Sequence, residues 1–265
     1  MRGRVREGAE EAAMSGKTTT DDRALKEMLD WHRDLYEGPA IDPKLKGIIR
    51  DAPGSKLSDW DIHRMLRTSR AVFFDTHVEV VSGYHTATYL RFASIARFPQ
   101  LIRLIVRDMA DWVRQTYQKN PIVGIIATAS EARLLADGLA GLLRGEMPVR
   151  VVLTPYNPET GKIGTEVSPG SIKPGERFVA LNDETTRGNC VSKLGSVVTA
   201  HGGVLAGMMV FARRDSGQFP LMGELTAKHP FYYTADLDMP QWEPKSCSLC
   251  SMKKPLLSWR DMPEF

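Results

Sequence analysis

The densest chemistry in the chain lies in Asn182-Asp183-Glu184-Thr185-Thr186-Arg187-Gly188-Asn189-Cys190. Ahead of it, Phe178-Val179-Ala180-Leu181 is an uninterrupted apolar run that reads as a buried strand stopping at Asn182-Asp183; residues 190–200 read as a helix. A strand feeding a hydroxyl- and glycine-containing turn at a helix N-terminus is an anion site. Backbone N–H groups point outward, the helix dipole favours negative charge, and Thr185 and Thr186 add donors. Arg187 adds a fork suited to phosphate oxygens. A carboxylate just before such a turn, Asp183, can hold the hydroxyls of a sugar carrying that phosphate, or a magnesium ion near them. On spacing alone, a simple capped turn with Asp183 as the capping residue fits the same pattern.

Other candidates stand apart from this loop. Arg214 follows the apolar run 204–211, where a cation meets either a ligand or solvent. His85, in a polar turn after Gly83, is within reach of a phosphate or a base, or is an idle surface histidine. Residues 154–176 lack apolar periodicity, and a loop of that length is commonly a functional lid. Thr160-Gly161-Lys162-Ile163-Gly164-Thr165 within it suits a hairpin tip carrying Lys162. Cys190 at a helix start is a place for a lowered thiol pKa, although a packed small residue is the preferred reading. Cys247 and Cys250 have zinc-knuckle spacing, but no second Cys or His pair follows. A metal would need a partner chain or a distant residue such as His229, so zinc is not expected there.

The elements that must position these residues are readable in outline. Leu25, Met28, Leu29 and Leu35 recur at helical spacing between Asp21-Asp22 and Gly38-Pro39. Ser58 caps a second helix reaching about Ser69, and residues 71–81 read as extended. Leu101, Ile102, Ile105, Met109, Trp112 and Val113 form one helical stripe. From Pro121 onward, apolar runs at 122–127, 149–153, 178–181 and 204–211 alternate with helical segments at 131–143 and 190–200. That alternation predicts an α/β fold with a mostly parallel sheet flanked by helices.

Composition sets the limits. A chain of 265 residues with 42% hydrophobic residues and a net charge of +3 reads as an ordinary globular protein, with no nucleic-acid partner expected. No apolar run approaches the ~20 residues of a membrane span, and residues 1–20 read as a disordered leader without a signal-peptide centre. Three cysteines make no disulfide scaffold, so a reducing cytoplasm is the expected location.

The loop 182–190 resembles the phosphoribosyl pyrophosphate (PRPP) motif of type I phosphoribosyltransferases: an apolar strand, two acidic residues, then a Thr- and Gly-rich turn. Other segments in family order are similar to orotate phosphoribosyltransferases. They are residues 81–90, the pyrophosphate-type loop ending in Ala127-Thr128-Ala129-Ser130, residues 203–214 ending in Arg214, and the Cys-x-x-Cys tail. The resemblance implies a type I fold with an N-terminal hood: helices and hood at 21–120, a core at 121–235, and a tail at 236–265.

It further implies PRPP and phosphate binding by Asn182, Glu184 and residues 185–190, and by residues 127–130. Asp183 and Lys162 would be catalytic, and Arg214, Tyr89 and His85 would meet a base. Mg²⁺ would accompany PRPP, reaching the protein indirectly through Asp183, and the chain would be a homodimer. The expected activity is transfer of the phosphoribosyl group to a nitrogen ring. The alternative is an impaired PRPP- or nucleotide-binding regulator or partner subunit. Departures from the pattern are Asn182 for the first acid, Arg187 and Asn189 within the loop, Val81 for a base-contacting lysine, and a lid short of basic residues.

Overall fold

The computed structural model describes residues 22–214 and 219–263; the expected leader at 1–20, and Asp21 of the first cap, lie outside the described residues. The N-terminal part is helical: α1 (Asp22–Glu37), α2 (Ile41–Ile48), a two-residue strand β1 (Ile49–Arg50) and α3 (Asp59–Ser69). A capping box starts α3: Ser58 Oγ accepts from the Asp61 N–H at 3.2 Å, while the Asp61 carboxylate accepts from the Ser58 N–H at 3.0 Å. The Ser58 hydroxyl, which donates to the same carboxylate at 2.7 Å, and then the Ser58 N–H hold the Asp61 carboxyl below its ordinary pKa. No helix was expected at α2, whose Pro43 sits in the first turn, where a missing N–H leaves no hydrogen bond unmade.

The hood follows. Its strands are β2 (Val72–Phe73), β3 (Val78–Glu79), β4 (His85–Thr86) and β5 (Tyr89–Leu90). The single extended stretch expected at 71–81 is broken at Asp75, which adopts φ 54. Two helices, α4 (Phe92–Ala96) and α5 (Pro99–Tyr117), lead to the core; α5 starts on a proline and buries Leu101, Ile105, Met109 and Val113 along one face.

The core alternates as the apolar runs predict. Its elements are β6 (Gly124–Thr128), α6 (Ala132–Leu143), β7 (Arg150–Thr154), the hairpin strands β8 (Tyr156–Asn157) and β9 (Lys162–Ile163), β10 (Arg177–Thr185), α7 (Asn189–Ala200), β11 (Val204–Arg214), α8 (Pro220–Lys228) and β12 (Phe231–Leu237). The main sheet has the order β1-β12-β11-β10-β6-β7, parallel except for β1 at its edge. Successive residues of β10 face opposite layers: Val179 and Leu181 pack with α5 and α6, Phe178 and Ala180 with α7. Burial on both faces explains why these strands are continuous apolar runs. Gly207 on β11 lets Tyr117 approach; a Cβ there would lie 2.2 Å from the Tyr117 hydroxyl.

The tail returns to the hood through β13 (Gln241–Trp242), α9 (Ser248–Ser251) and β14 (Leu257–Ser258). β13 pairs with β4 and β14 with β3, making a four-stranded sheet from segments distant in sequence. No described helix is long and apolar enough to cross a membrane.

Candidate functional site

The carboxyl ends of β6, β10 and β11 open into a cleft of about 490 Å³, walled on the other side by hood and tail. Open α/β sheets bind ligands at this end. β10 does not stop at Asn182-Asp183 but runs to Thr185, because its backbone keeps pairing with β11 (Glu184 with Ala212, Thr185 with Arg213). Asn182 is buried, and both its amide nitrogen and its amide oxygen are hydrogen-bonded. Nδ2 donates to the Glu184 carbonyl at 3.0 Å, and Oδ1 accepts from Thr128 Oγ1 at 3.2 Å, which in turn meets Ser130 Oγ at 2.8 Å. The residue in place of the first acid therefore ties β10 to the β6 loop.

Asp183 and Glu184 both line the cleft. Burial and the neighbouring Glu184 charge push the Asp183 carboxyl up to about 7, against the pull of the Glu184 N–H, which donates to Asp183 Oδ1 at 2.9 Å. Burial also raises Glu184, opposed by Arg214 and Arg91; Arg214 Nε lies 3.2 Å from the Glu184 carboxylate. The two carboxylates are thus unequal. Glu184 has a cation, and Asp183 faces the cleft without an ion-pair partner among the described residues.

Thr185, Thr186 and Gly188 wrap the start of α7. Gly188 sits at its N-cap with φ 86 and donates its N–H to Thr185 Oγ1 at 3.2 Å. A side chain there would be strained and would press on Met222 and Leu225. No acidic residue occupies the first turn of α7, so its positive end is open to an anion. Thr186, Asn189 and Cys190 reach the cleft. Arg187 also lines it, its guanidinium over the Tyr84 ring at 4.3 Å and near Phe219 at 5.5 Å. Burial, then the charges of Asp183 and Glu184, push the Cys190 thiol up to about 12, which disfavours the thiolate a nucleophile needs.

The segment 154–176 carries a hairpin, β8 with β9, that lies over the cleft as a lid. Its turn is at 158–161, so Lys162 stands on the return strand and not at the expected tip formed by 160–165. Lys162 and Ile163 face the cleft, and Tyr156 lies beneath, its phenol pushed up to about 12 by burial and by Asp183. The tail clamps the lid: Arg260 Nε donates to the Glu159 carbonyl at 2.5 Å.

At the far end, Tyr89 and Arg214 line the cleft, the Tyr89 phenol pushed up to about 12 by burial and Glu184. Three expected site residues are placed differently. His85 is buried against His77 and Cys250, outside the cleft, because strand pairing turns it toward the tail. Ala127 is wholly buried in β6, and Ala129 gives its N–H to the Thr154 carbonyl, so of the four-residue loop Thr128 and Ser130 reach the cleft. Arg91, Tyr156, Gln241 and Trp259 line it without having been singled out. Their only signal was their type: aromatic or polar residues next to short hood, lid or tail strands.

The chain is 24% identical over 197 residues to the orotate phosphoribosyltransferase of Thermus thermophilus, covering 74% of this chain and 98% of that protein. It is 26% identical over 193 residues to the orotate phosphoribosyltransferase of Heliobacterium modesticaldum, covering 73% and 93%. Among solved structures it is similar to the UMP synthase of Leishmania donovani, with TM-score 0.51 and 17% identity over 81% of this chain.

The chain has the type I phosphoribosyltransferase fold.

It spans 40% of the length of that UMP synthase chain. No family model matches it. In this phosphoribosyltransferase fold, the orotate phosphoribosyltransferase-like sequence places Asp183, the α7 N-terminus and the lid around one cleft.

Proposed function

We propose that the chain transfers the phosphoribosyl group of PRPP to a ring nitrogen of a nucleobase or related heterocycle. The ring nitrogen bonds to ribose C1, the bond from C1 to pyrophosphate oxygen breaks, and the nitrogen's proton leaves. The observation that carries this reading is the pairing, in one cleft, of an open helix N-terminus at Gly188 with the Asp183 carboxylate, which has no ion-pair partner among the described residues. The turn 185–190 would hold the 5′-phosphate, Asp183 the ribose hydroxyls, and Thr128 and Ser130 the pyrophosphate side. Lys162, on the closing lid, would meet the departing pyrophosphate as its charge grows, while the lid excludes water.

One open carboxylate is a fitting donor set for Mg²⁺ held chiefly by PRPP oxygens, with Asp183 as its indirect protein contact. Bound there, Mg²⁺ would neutralise pyrophosphate charge. Arg214 is already compensated by Glu184, which favours an acceptor without the carboxylate of orotate. The same resemblance supports a homodimer.

Pyrophosphate release from PRPP and Mg²⁺ across a panel of bases tests the reaction: release with one base is expected, and none with any base contradicts it. A second reading, a PRPP- or nucleotide-binding regulator or partner subunit, draws on the lid. It meets the hood through Gly161 and Val81, the latter apolar where the resemblance implies a base-contacting lysine.

A further inference from the structure

We propose that His77, His85, Cys247 and Cys250 bind one Zn²⁺ in a closed structural site that fastens the tail to the hood. The four ligand atoms lie within 4.8 Å of one another. His77 Nε2 is 3.1 Å from His85 Nδ1, 3.5 Å from Cys247 Sγ and 3.6 Å from Cys250 Sγ; Cys250 Sγ is 3.2 Å from His85 Nδ1. A zinc tetrahedron with bonds of ~2.0 Å to nitrogen and ~2.3 Å to sulfur has N–N edges of ~3.3 Å and N–S edges of ~3.6 Å. Three of these four separations lie within about 0.2 Å of those edges, and the Cys250 Sγ–His85 Nδ1 separation is shorter.

The surroundings fit a metal as well. His77, His85 and Cys247 are buried, and thiols are poor hydrogen-bond partners for imidazoles. His77 Nδ1 lies 2.9 Å from the Lys254 carbonyl; donating to it fixes the tautomer that leaves Nε2 facing the sulfurs, the usual outer-shell arrangement of a metal-bound histidine. Two soft sulfurs and two imidazoles select zinc over magnesium or calcium. With four protein ligands, no coordination position is left for a substrate, so the role is structural.

The fold supplies the reason for a staple. Beyond β12 the described tail contributes one four-residue α-helix, two three-residue 3₁₀ turns and two two-residue strands, too little to hold itself in place. His85 pairs with Trp242 and Val78 with Leu257, so the ligands sit where both tail strands meet the hood. Next to Trp242, Gln241 donates from Nε2 to Thr186 Oγ1 at 3.3 Å. A metal there would steady the wall of the anion loop as well as the tail. The site is independent of the reaction proposed above.

The test is metal analysis of the full chain purified without chelator, followed by Co²⁺ substitution. One Zn²⁺ per chain and a tetrahedral Co²⁺ spectrum with sulfur-to-metal charge transfer are expected. His77→Gln and Cys250→Ser should lose the metal, and His229→Ala should keep it. The wild-type spectrum stands even if the ligand variants fail to fold. A chain that retains no metal after zinc reconstitution, a six-coordinate Co²⁺ spectrum, or a Cys247–Cys250 disulfide in freshly isolated protein would overturn the proposal.

Discussion

Gly161, at the tip of the lid hairpin, rests directly on Val81 of the hood: a Cβ at Gly161 would lie 2.4 Å from Val81 Cγ1. Gly161 also has φ 66, a conformation that other residues adopt only with strain. Gly161→Ala should therefore lift the hairpin, at a cost of roughly 1–3 kcal/mol for overpacking. Hydrogen exchange over residues 156–163 should rise, and adding Val81→Ala should restore part of the protection. Unchanged exchange in Gly161→Ala would mean that this contact does not close the lid.

Asp183 gives a prediction with a definite sign. Its carboxyl is raised to about 7 in the folded chain, against ~3.9 in an unfolded one. Between those values the folded chain keeps a proton that the unfolded chain has released. The resulting stability is complete below the unfolded value and is lost as pH rises through about 7. Asp183→Asn cannot lose it. Thermal melts should place the variant above the wild type at pH 8, with the advantage disappearing toward pH 4. A variant less stable than the wild type at pH 8 would contradict the placement of this carboxylate.

Glu184 and Arg214 form a shielded ion pair lining the cleft, so removing one partner should cost more than removing both. Arg214→Met leaves Glu184 buried beside Asp183 and should destabilise by on the order of 3 kcal/mol. The double variant Arg214→Met with Glu184→Gln should recover most of that loss, as read from denaturant unfolding. Equal losses in the single and double variants would show that the two charges are not coupled.

Much of the fold was legible because burial on both faces writes a parallel strand as an apolar run, as in residues 178–181 and 204–211. The α5 stripe and the α3 cap were equally plain. The end of β10 was not, since polar Asn182, Asp183 and Glu184 interrupt the apolar run while the backbone ladder continues. The Asp183 loop and Arg214 could be singled out by type and order. Arg91, Tyr156 and Gln241 could not, because two-residue strands carry no periodicity. The same limit hid His77 and His85 from Cys247 and Cys250, more than 160 residues away along the chain and joined by short pairings.

The central claim is that this cleft holds PRPP through Asp183 and the turn before α7. Titration calorimetry with PRPP and Mg²⁺ at pH 8, comparing the wild type with Asp183→Asn, tests it most directly, because that variant should be the more stable of the two. The wild type should bind, and the variant should bind at least about tenfold more weakly, a difference of about 1.4 kcal/mol. Equal affinity in the two proteins, or no binding by the wild type, would contradict the claim.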